Sequence, residues 1–505
     1  MNGDSLLAGL TRFDATEVDE TIGLESVISP TTSLALPMLP HQQEGMERAL
    51  AFGACLLADD MGLGKTVQGI GVTASAIEAG FRPIVWVVPP SLRTNTEREF
   101  SRFAPHLTKC CVAGQKPTCV PDVDVIIVGD SVVSHWEETL IDHGIGGLVV
   151  DECHRAKSRT TRRAKAIRAL SKVIPKDGPN GPGPRLLMSG TPVSNHPAEL
   201  VSLLTILSLI GKFGGPVNFL DRYCPKIPGN RYGMRGVDHD MLGDLHVRLS
   251  DLCMVRRTKD EVLDLPNKGF MAISLESDTK VAAEYRLCEA DLRRYLSEVC
   301  GYSGARLARA DKAEALVRLT KLRRLAGLAI VKSTTQYVDE LLSSTLPGEP
   351  QEQVVIFTEH REVAEALSKA LGCPAIQGSM GDVAKQAAID GFQSGEHTVL
   401  VANSVAGGVG ITLTAGRHVV FAELPWTAAM GDQCISRCHR YGAEREVVGH
   451  IVFPDFGPTT EPITHRMWGL IESKHSVASE VVDGEVGAIL MDEDMADSLI
   501  AQYLS

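Results

Sequence analysis

Residues 54–68 read ACLLADDMGLGKTVQ: an apolar run that ends in two acids, a glycine-rich loop, and the opening of a helix. A short aliphatic run bounded by turn residues fits a strand buried on both faces. In the loop, Gly62 and Gly64 carry no Cβ, so backbone N–H groups can close around phosphate oxygens, and the following helix N-terminus adds a favourable dipole. Lys65 is placed to reach the β- and γ-phosphates, and Thr66 to ligate magnesium. Asp59 stands where the general phosphate-loop pattern has its first glycine, and Asp60 joins the residues expected to line the nucleotide.

Working outward, PIVWVVPP (83–90), DVIIVGD (124–130), GLVVDE (147–152) and RLLMSGT (185–191) repeat the pattern of a buried parallel strand that opens into a polar loop. Such strands alternating with amphipathic stretches predict a doubly wound α/β lobe whose ligands sit outside the carboxyl ends of the strands. A second set follows: QVVIFTEH (353–360), CPAIQG (373–378), HTVLVAN (397–403), RHVVFAEL (417–424) and VVGHIVF (447–453). The expected organisation is a partly ordered leader over 1–36 and a first lobe over 37–265 that turns helical from about 196. A linker and helical insertion of the second lobe (266–345), that lobe itself (346–460), and a helical brace with an acidic tail (461–505) complete it. The segment VIPKDGPNGPGPR (173–185) is a loop by its Pro and Gly content.

The bulk composition narrows the function classes. A chain of 505 residues with 44% hydrophobic content holds more than one core. The formal charge of -13 excludes a uniformly basic nucleic-acid coat, so phosphate contacts must come from local patches. No apolar run is long enough to span a bilayer, and the N-terminus lacks a basic start before an apolar stretch. The expectation is an intracellular protein, cytoplasmic, nucleoid-associated or nuclear, with no membrane partner. Twelve cysteines occur without a CxxC pair, which points to reduced thiols rather than a zinc ribbon.

GLVVDECH (147–154) puts two acids at the end of a buried strand. Asp151 can hold magnesium, Glu152 can orient and deprotonate an attacking water, and His154 can couple nucleotide state to neighbouring loops. Arg437 and Arg440 are three apart, so on a helix they share one face and can stabilise charge on a transferred phosphoryl group.

With these motifs together the chain resembles the superfamily-two helicases, specifically the Swi/Snf-type DNA translocases. The resemblance spans roughly residues 38–480. LPHQQEG (39–45) is similar to the adenine-reading segment, with Gln42 at its glutamine. WVVPPSLRTNTEREF (86–100) is similar to the nucleic-acid-tracking segment, which includes Arg93. MSGTPVSNHPAEL (188–200) resembles the coupling segment, with Ser189, Gly190 and Thr191. MVRRTKDEVLDLP (254–266) is a run this family carries between its lobes. NSVAGGVGITLT (403–414) and QCISRCHRYG (433–442) resemble the last two motifs and supply Ser404, Gly410, Gln433, Arg437 and Arg440. The resemblance implies two RecA-like lobes, ATP and Mg2+ as cofactors, and translocation on duplex DNA without obligatory strand separation. The DECH box, FLDRYC (219–224) and the compact MVRRTKDEVL lean toward the HARP-like annealing-helicase branch. Ala443 replaces a family glutamine and Lys385 a family arginine, departures that bear on coupling rather than on hydrolysis.

Residues 155–172 hold Arg155, Lys157, Arg159, Arg162, Arg163, Lys165, Arg168 and Lys172 with no acid between them, a candidate strip for sequence-independent phosphate binding. Arg318, Lys321, Arg323 and Arg324 form a second basic group whose members either meet DNA or pair with nearby acids. At 5% aromatic content, an array of base-stacking platforms is not expected. The expected partner is duplex or branched DNA. A strand-separating DNA or RNA helicase and a nucleotide-gated binding module remain the alternatives, and the intact Lys65, Asp151, Glu152, Arg437 and Arg440 speak against the latter.

Overall fold

The structure, a computed structural model, describes residues 28–471, 499–500 and 502–503, apart from 32, 118, 178–179, 194–195, 227–235, 264–267, 301–308, 346–347, 349, 379, 405–410 and 444. The chain divides into two compact units, the first running to Val262 and the second starting at Leu263.

The first unit is built on seven parallel strands: β1 (Ala54–Leu57), β2 (Ile84–Val88), β3 (Lys109–Val112), β4 (Val125–Gly129), β5 (Gly147–Asp151), β6 (Arg185–Met188) and β7 (Met254–Val255). Their order across the sheet is β3-β4-β2-β5-β6-β1-β7. Strands β1, β2, β4, β5 and β6 are buried at every position, which is why they read as continuous aliphatic runs. Trp86 on β2 shows how a helix is seated on this sheet. Its ring meets Phe100 edge-on at 5.0 Å, and its indole N–H donates to Thr73 Oγ1 of the Lys65–Glu78 helix at 2.8 Å. The buried aromatic thus keeps its one polar atom satisfied. Part of the expected leader docks here as well: Thr31 N donates to Ser75 Oγ at 2.9 Å and Thr31 Oγ1 to Glu78 Oε1 at 2.6 Å. The helical region expected from about 196 is present as Leu200–Ile206, Gly215–Tyr223 and Leu242–Leu252, with Phe213, Phe219 and Tyr223 packed ring against ring.

The second unit holds a parallel sheet of β8 (Lys268–Glu276), β9 (Val354–Thr358), β10 (Ala375–Ile376), β11 (Val399–Asn403), β12 (His418–Phe421) and β13 (Val447–Asp455), ordered β10-β11-β9-β12-β13-β8. β9 to β13 are the five strands expected from the sequence. β8 falls in the expected linker, yet it pairs with β13 in continuous register from Lys268↔Val447 to Glu276↔Asp455. The helices Thr279–Cys300, Arg309–Ala329 and Val331–Ser343 follow it. Tyr285, in the first of these, stacks on Phe456 at 4.3 Å and accepts Ile463 N at 2.8 Å, anchoring the start of the helical segment 463–471. The expected acidic tail over 472–498 lies outside the described residues, as do leader residues 1–27. Among the described residues no helix is long and apolar enough to cross a membrane.

Candidate active site

Sheet order explains how distant motifs meet: β5, β6 and β1 are adjacent, so the loops at their carboxyl ends emerge side by side. The loop after β1 contains Gly62 and Gly64 with φ of 93° and 76°, and Gly64 caps the Lys65–Glu78 helix in the left-handed conformation that glycine adopts without Cβ strain. A Cβ on Gly64 would also collide with Gln42 Nε2. Gln42 is buried, donates to Leu63 O at 3.3 Å and accepts Leu39 N at 3.0 Å, while His41 Nε2 lies 3.1 Å from the same Leu63 carbonyl. The 39–45 segment is therefore fastened to the tip of the phosphate loop. Lys65 Nζ donates to Asp59 O at 2.7 Å and Asp60 O at 3.1 Å. Burial pulls its pKa down, against the charges of Glu152, Asp59 and Asp151. Thr66 follows in the first helical turn, half-buried.

Asp151 ends β5 and is buried. Burial, followed by the charge of Glu152, pushes its carboxyl up to about 7, with Lys65 opposing. Glu152 sits in the left-handed region at φ 49°, ψ 50°, a conformation costing a non-glycine residue roughly 1–2 kcal/mol. Strain of that size clusters at active sites, ligand clamps and switch regions. His154 Nδ1 lies 3.3 Å from Glu152 Oε2 and 3.1 Å from Ser189 Oγ, and Ser189 Oγ accepts Thr191 N at 3.1 Å. A Cβ on Gly190 would stand 2.6 Å from Met61 Cγ, so the turn after β6 runs directly against the phosphate loop. Lys65, Asp151, Glu152, His154, Ser189, Gly190 and Thr191 are thereby brought together within the first unit.

Two residues of the site were missed by sequence reasoning. Arg257 donates through Nε to Asp59 Oδ1 at 3.0 Å, through Nη2 to Asp59 Oδ2 at 2.5 Å and Gln68 Oε1 at 3.0 Å, and through Nη1 to His41 O. Arg256 pairs with Asp60 Oδ1 at 2.8 Å and donates to Ala58 O at 2.8 Å. Burial would raise the Asp60 carboxyl, but Arg256 and the Lys259 N–H bring it below its ordinary value. The arginines lie just past β7, which pairs with β1 and so delivers them beside the phosphate loop. The departure of Asp59 from glycine is the buried partner of Arg257.

In the second unit Gln433 is buried on the Ala428–Ile435 helix. The expectation that Arg437 and Arg440 share a helical face is corrected, because the helix stops at Ile435 and both arginines lie in the irregular stretch after it. The backbone there makes short-range bonds such as Arg437 N to Cys434 O and Cys438 N to Ile435 O, and Arg437 O accepts Leu413 N at 2.8 Å instead of continuing a ladder. Arg440 Nη1 donates to Thr412 Oγ1 at 2.9 Å. Ser404, expected at the nucleic acid, is buried at the end of β11 and donates to Thr358 O at 3.2 Å. Gly410 lies outside the described residues.

Residues 41–324 match the SNF2-related domain family, and residues 334–442 match the helicase conserved C-terminal domain. The chain belongs to the SNF2-related family. The DNA annealing helicase and endonuclease ZRANB3 of Bos taurus is 29% identical over 89% of this chain and 41% of its own length. The putative ATP-dependent helicase/translocase YwqA of Bacillus subtilis is 26% identical over 95% of this chain and 54% of its own length. The chain thus spans about half the length of these curated relatives. The SWI2/SNF2 ATPase core of Sulfolobus solfataricus, solved in complex with dsDNA, aligns with a TM-score of 0.41 at 23% identity, covering 91% of this chain and 96% of that one.

In this SNF2-related chain the basic strip divides into two groups. Arg155 Nε and Arg163 Nε lie 2.5 and 3.2 Å from the buried Asp130 Oδ2, and Lys157 Nζ lies 2.8 Å from Glu199. Arg159, Arg162, Lys165 and Lys172 are exposed, and Arg168 is half-buried. Thr161 Oγ1 accepts Ala164 N at 3.2 Å and starts the Arg162–Val173 helix that carries most of them. Arg93, half-buried, opens the Arg93–Phe103 helix. In the second basic group, Arg318 pairs with Asp291 and Glu314, Arg324 with Glu362, and Arg323 lies buried over the Trp426 ring at 4.0 Å. Lys321 is exposed.

Proposed function

We propose that this chain hydrolyses ATP and uses the cycle to move along double-stranded DNA, rewinding or remodelling DNA structures inside the cell. The observation that carries the reading is the convergence of Lys65, the strained Glu152 and the buried Asp151 at the carboxyl ends of β1 and β5, which flank β6. The ammonium of Lys65, held by two loop carbonyls, is ready to exchange them for phosphate oxygens. Glu152 orients the attacking water and accepts its proton, while His154 and Ser189 pass the state of that carboxylate to the turn after β6. Thr66 and Asp151 fit a magnesium ion, since Asp151 shares its buried position with a second acid and a divalent cation offsets that repulsion. A magnesium ion held by Thr66 and Asp151 would supply positive charge to the triphosphate. Arg437 and Arg440 are the candidates for stabilising charge on the transferred phosphoryl group, worth about three to five decades in rate for such arginines.

Duplex tracking is favoured by the exposed Arg159, Arg162, Lys165 and Lys172, with Arg93 as a further phosphate contact, and by relatives named an annealing helicase and a helicase/translocase. Hydrolysis should be measured with no nucleic acid, single strand, duplex, forked DNA and RNA, alongside displacement of a triplex strand. Strong duplex stimulation and triplex displacement without release of a duplex strand are expected. Stimulation by RNA alone, or full turnover in Lys65→Ala or Glu152→Gln, overturns the proposal; Glu152→Gln should still retain ATP on a filter.

A further inference from the structure

The phosphate loop of this chain is gripped from two sides. On the inner side, the backbone carbonyls of Asp59 and Asp60 hold the Lys65 ammonium at 2.7 and 3.1 Å. On the outer side, the carboxylates of the same two residues are held by Arg257 and Arg256. Asp59 is fully buried and Arg257 is 6% exposed, so the carboxylate depends on protein donors rather than water. Gln68 Nε2, at 2.9 Å from Asp59 Oδ2, is its other side-chain donor. The guanidinium lies beneath the Pro40–Phe52 helix where Gly45 leaves room: a Cβ there would run into both Gln68 Oε1 and Arg257 Nη2. This accounts for the glycine that ends the LPHQQEG stretch.

We propose that Arg257 is a positioning residue of the nucleotide site, which, by satisfying Asp59, keeps Lys65 available to the phosphates. The proposal rests on the reading of the Lys65 loop as a nucleoside triphosphate site. Without Arg257 the Asp59 carboxylate is a buried charge short of a counter-ion, which is costly until it is paired again. Lys65 is at hand to pair with it, since its ammonium already bonds the carbonyl of the same residue and feels the Asp59 charge. An ammonium drawn onto Asp59 is lost to the β- and γ-phosphates. Arg257 stands close to the end of the first unit, and with Arg256 it ties that segment to the phosphate loop.

The test is titration of a fluorescent ATP analogue with magnesium into the full chain, with KM and kcat measured in parallel and a thermal melt of each variant. Arg257→Ala should weaken nucleotide binding by about tenfold or more. Adding Asp59→Gly, which removes the unpaired acid, should restore affinity to within about threefold of the parent. Gly45→Ala, which changes no charge, should follow Arg257→Ala by displacing the guanidinium. Arg257→Lys keeps the charge without the planar fork and should fall between, which keeps the proposal testable where Arg257→Ala fails to fold. Parent-like affinity in Arg257→Ala, or a double variant no better than the single one, overturns this proposal alone. A parent chain that binds no nucleotide overturns both it and the function it rests on.

Discussion

His154 Nδ1 stands 3.1 Å from Ser189 Oγ, and this contact joins the loop after β5 to the turn after β6. Ser189 is fully buried and also accepts Thr191 N, so Ser189→Ala removes an acceptor as well as a partner. The duplex-stimulated hydrolysis rate should fall by more than the unstimulated rate, with a stability loss of about 1–3 kcal/mol for the N–H left unsatisfied. Equal loss in both rates would refute a coupling role for the hydroxyl.

Gly64→Ala introduces a Cβ at φ 76° against Gln42. The left-handed backbone alone costs about 1–2 kcal/mol, and the Gln42 clash adds to it. Melting should shift down and nucleotide affinity should drop; Gln42→Ala in the same chain should recover part of the stability but not the adenine preference. An unchanged melt would show that the loop readily takes another path.

The two groups within the basic strip should respond differently. Replacing Arg159, Arg162 and Lys165 by Gln should flatten the dependence of duplex affinity on salt, by as much as about 0.9 in log–log slope for each phosphate no longer neutralised. Arg163→Gln should instead lower stability, since it strips one of two arginines from the buried Asp130. Fluorescence anisotropy across a salt series, with a melt of each variant, separates the two. An unaltered salt slope in the triple variant removes those side chains from the DNA interface.

His450 gives the second unit an acid-sensitive point. Burial first, then the neighbouring His418, holds its pKa down at about 4, and its ring lies 2.9 Å from His418 Nδ1 and 2.8 Å from the Tyr337 hydroxyl. Glu352, with Arg417 at 2.6 Å, faces the other side of His418. An unfolded histidine titrates near ~6.5, so between that pH and about 4 the unfolded chain binds the extra proton. Stability from this residue is therefore flat above ~6.5 and declines toward pH 4, by up to about 1.4 kcal/mol per pH unit. His450→Gln should show a shallower acid slope in melts across that window; an identical slope places the sensitivity elsewhere.

The fold was legible where burial on both faces writes a long aliphatic run, as in IVWVV of β2 or VVIFT of β9. β8 escaped because no position of KGFMAISLE is buried at its sheet edge, and β7 because two residues make no pattern. Lys65, Asp151 and Glu152 were legible because loop, strand end and chemistry coincide in a few consecutive residues. The pairing of Asp59 with Arg257 left no local trace across 198 residues of chain. Nor did the basic strip reveal that its counter-ions, Asp130 and Glu199, lie outside it. The three-residue spacing of Arg437 and Arg440 suggested a shared face only on the condition that a helix continued past Ile435, and it does not.

The pairing of β8 with β13 has a consequence for biosynthesis. Lys268 leaves the ribosome long before Val447, its partner in register. Throughout that interval the flank of β13's future neighbour, with Phe270 and Met271 half exposed even in the finished sheet, stands open to stray strand addition. Late closure of this kind leaves the second unit of a truncated or stalled chain sticky.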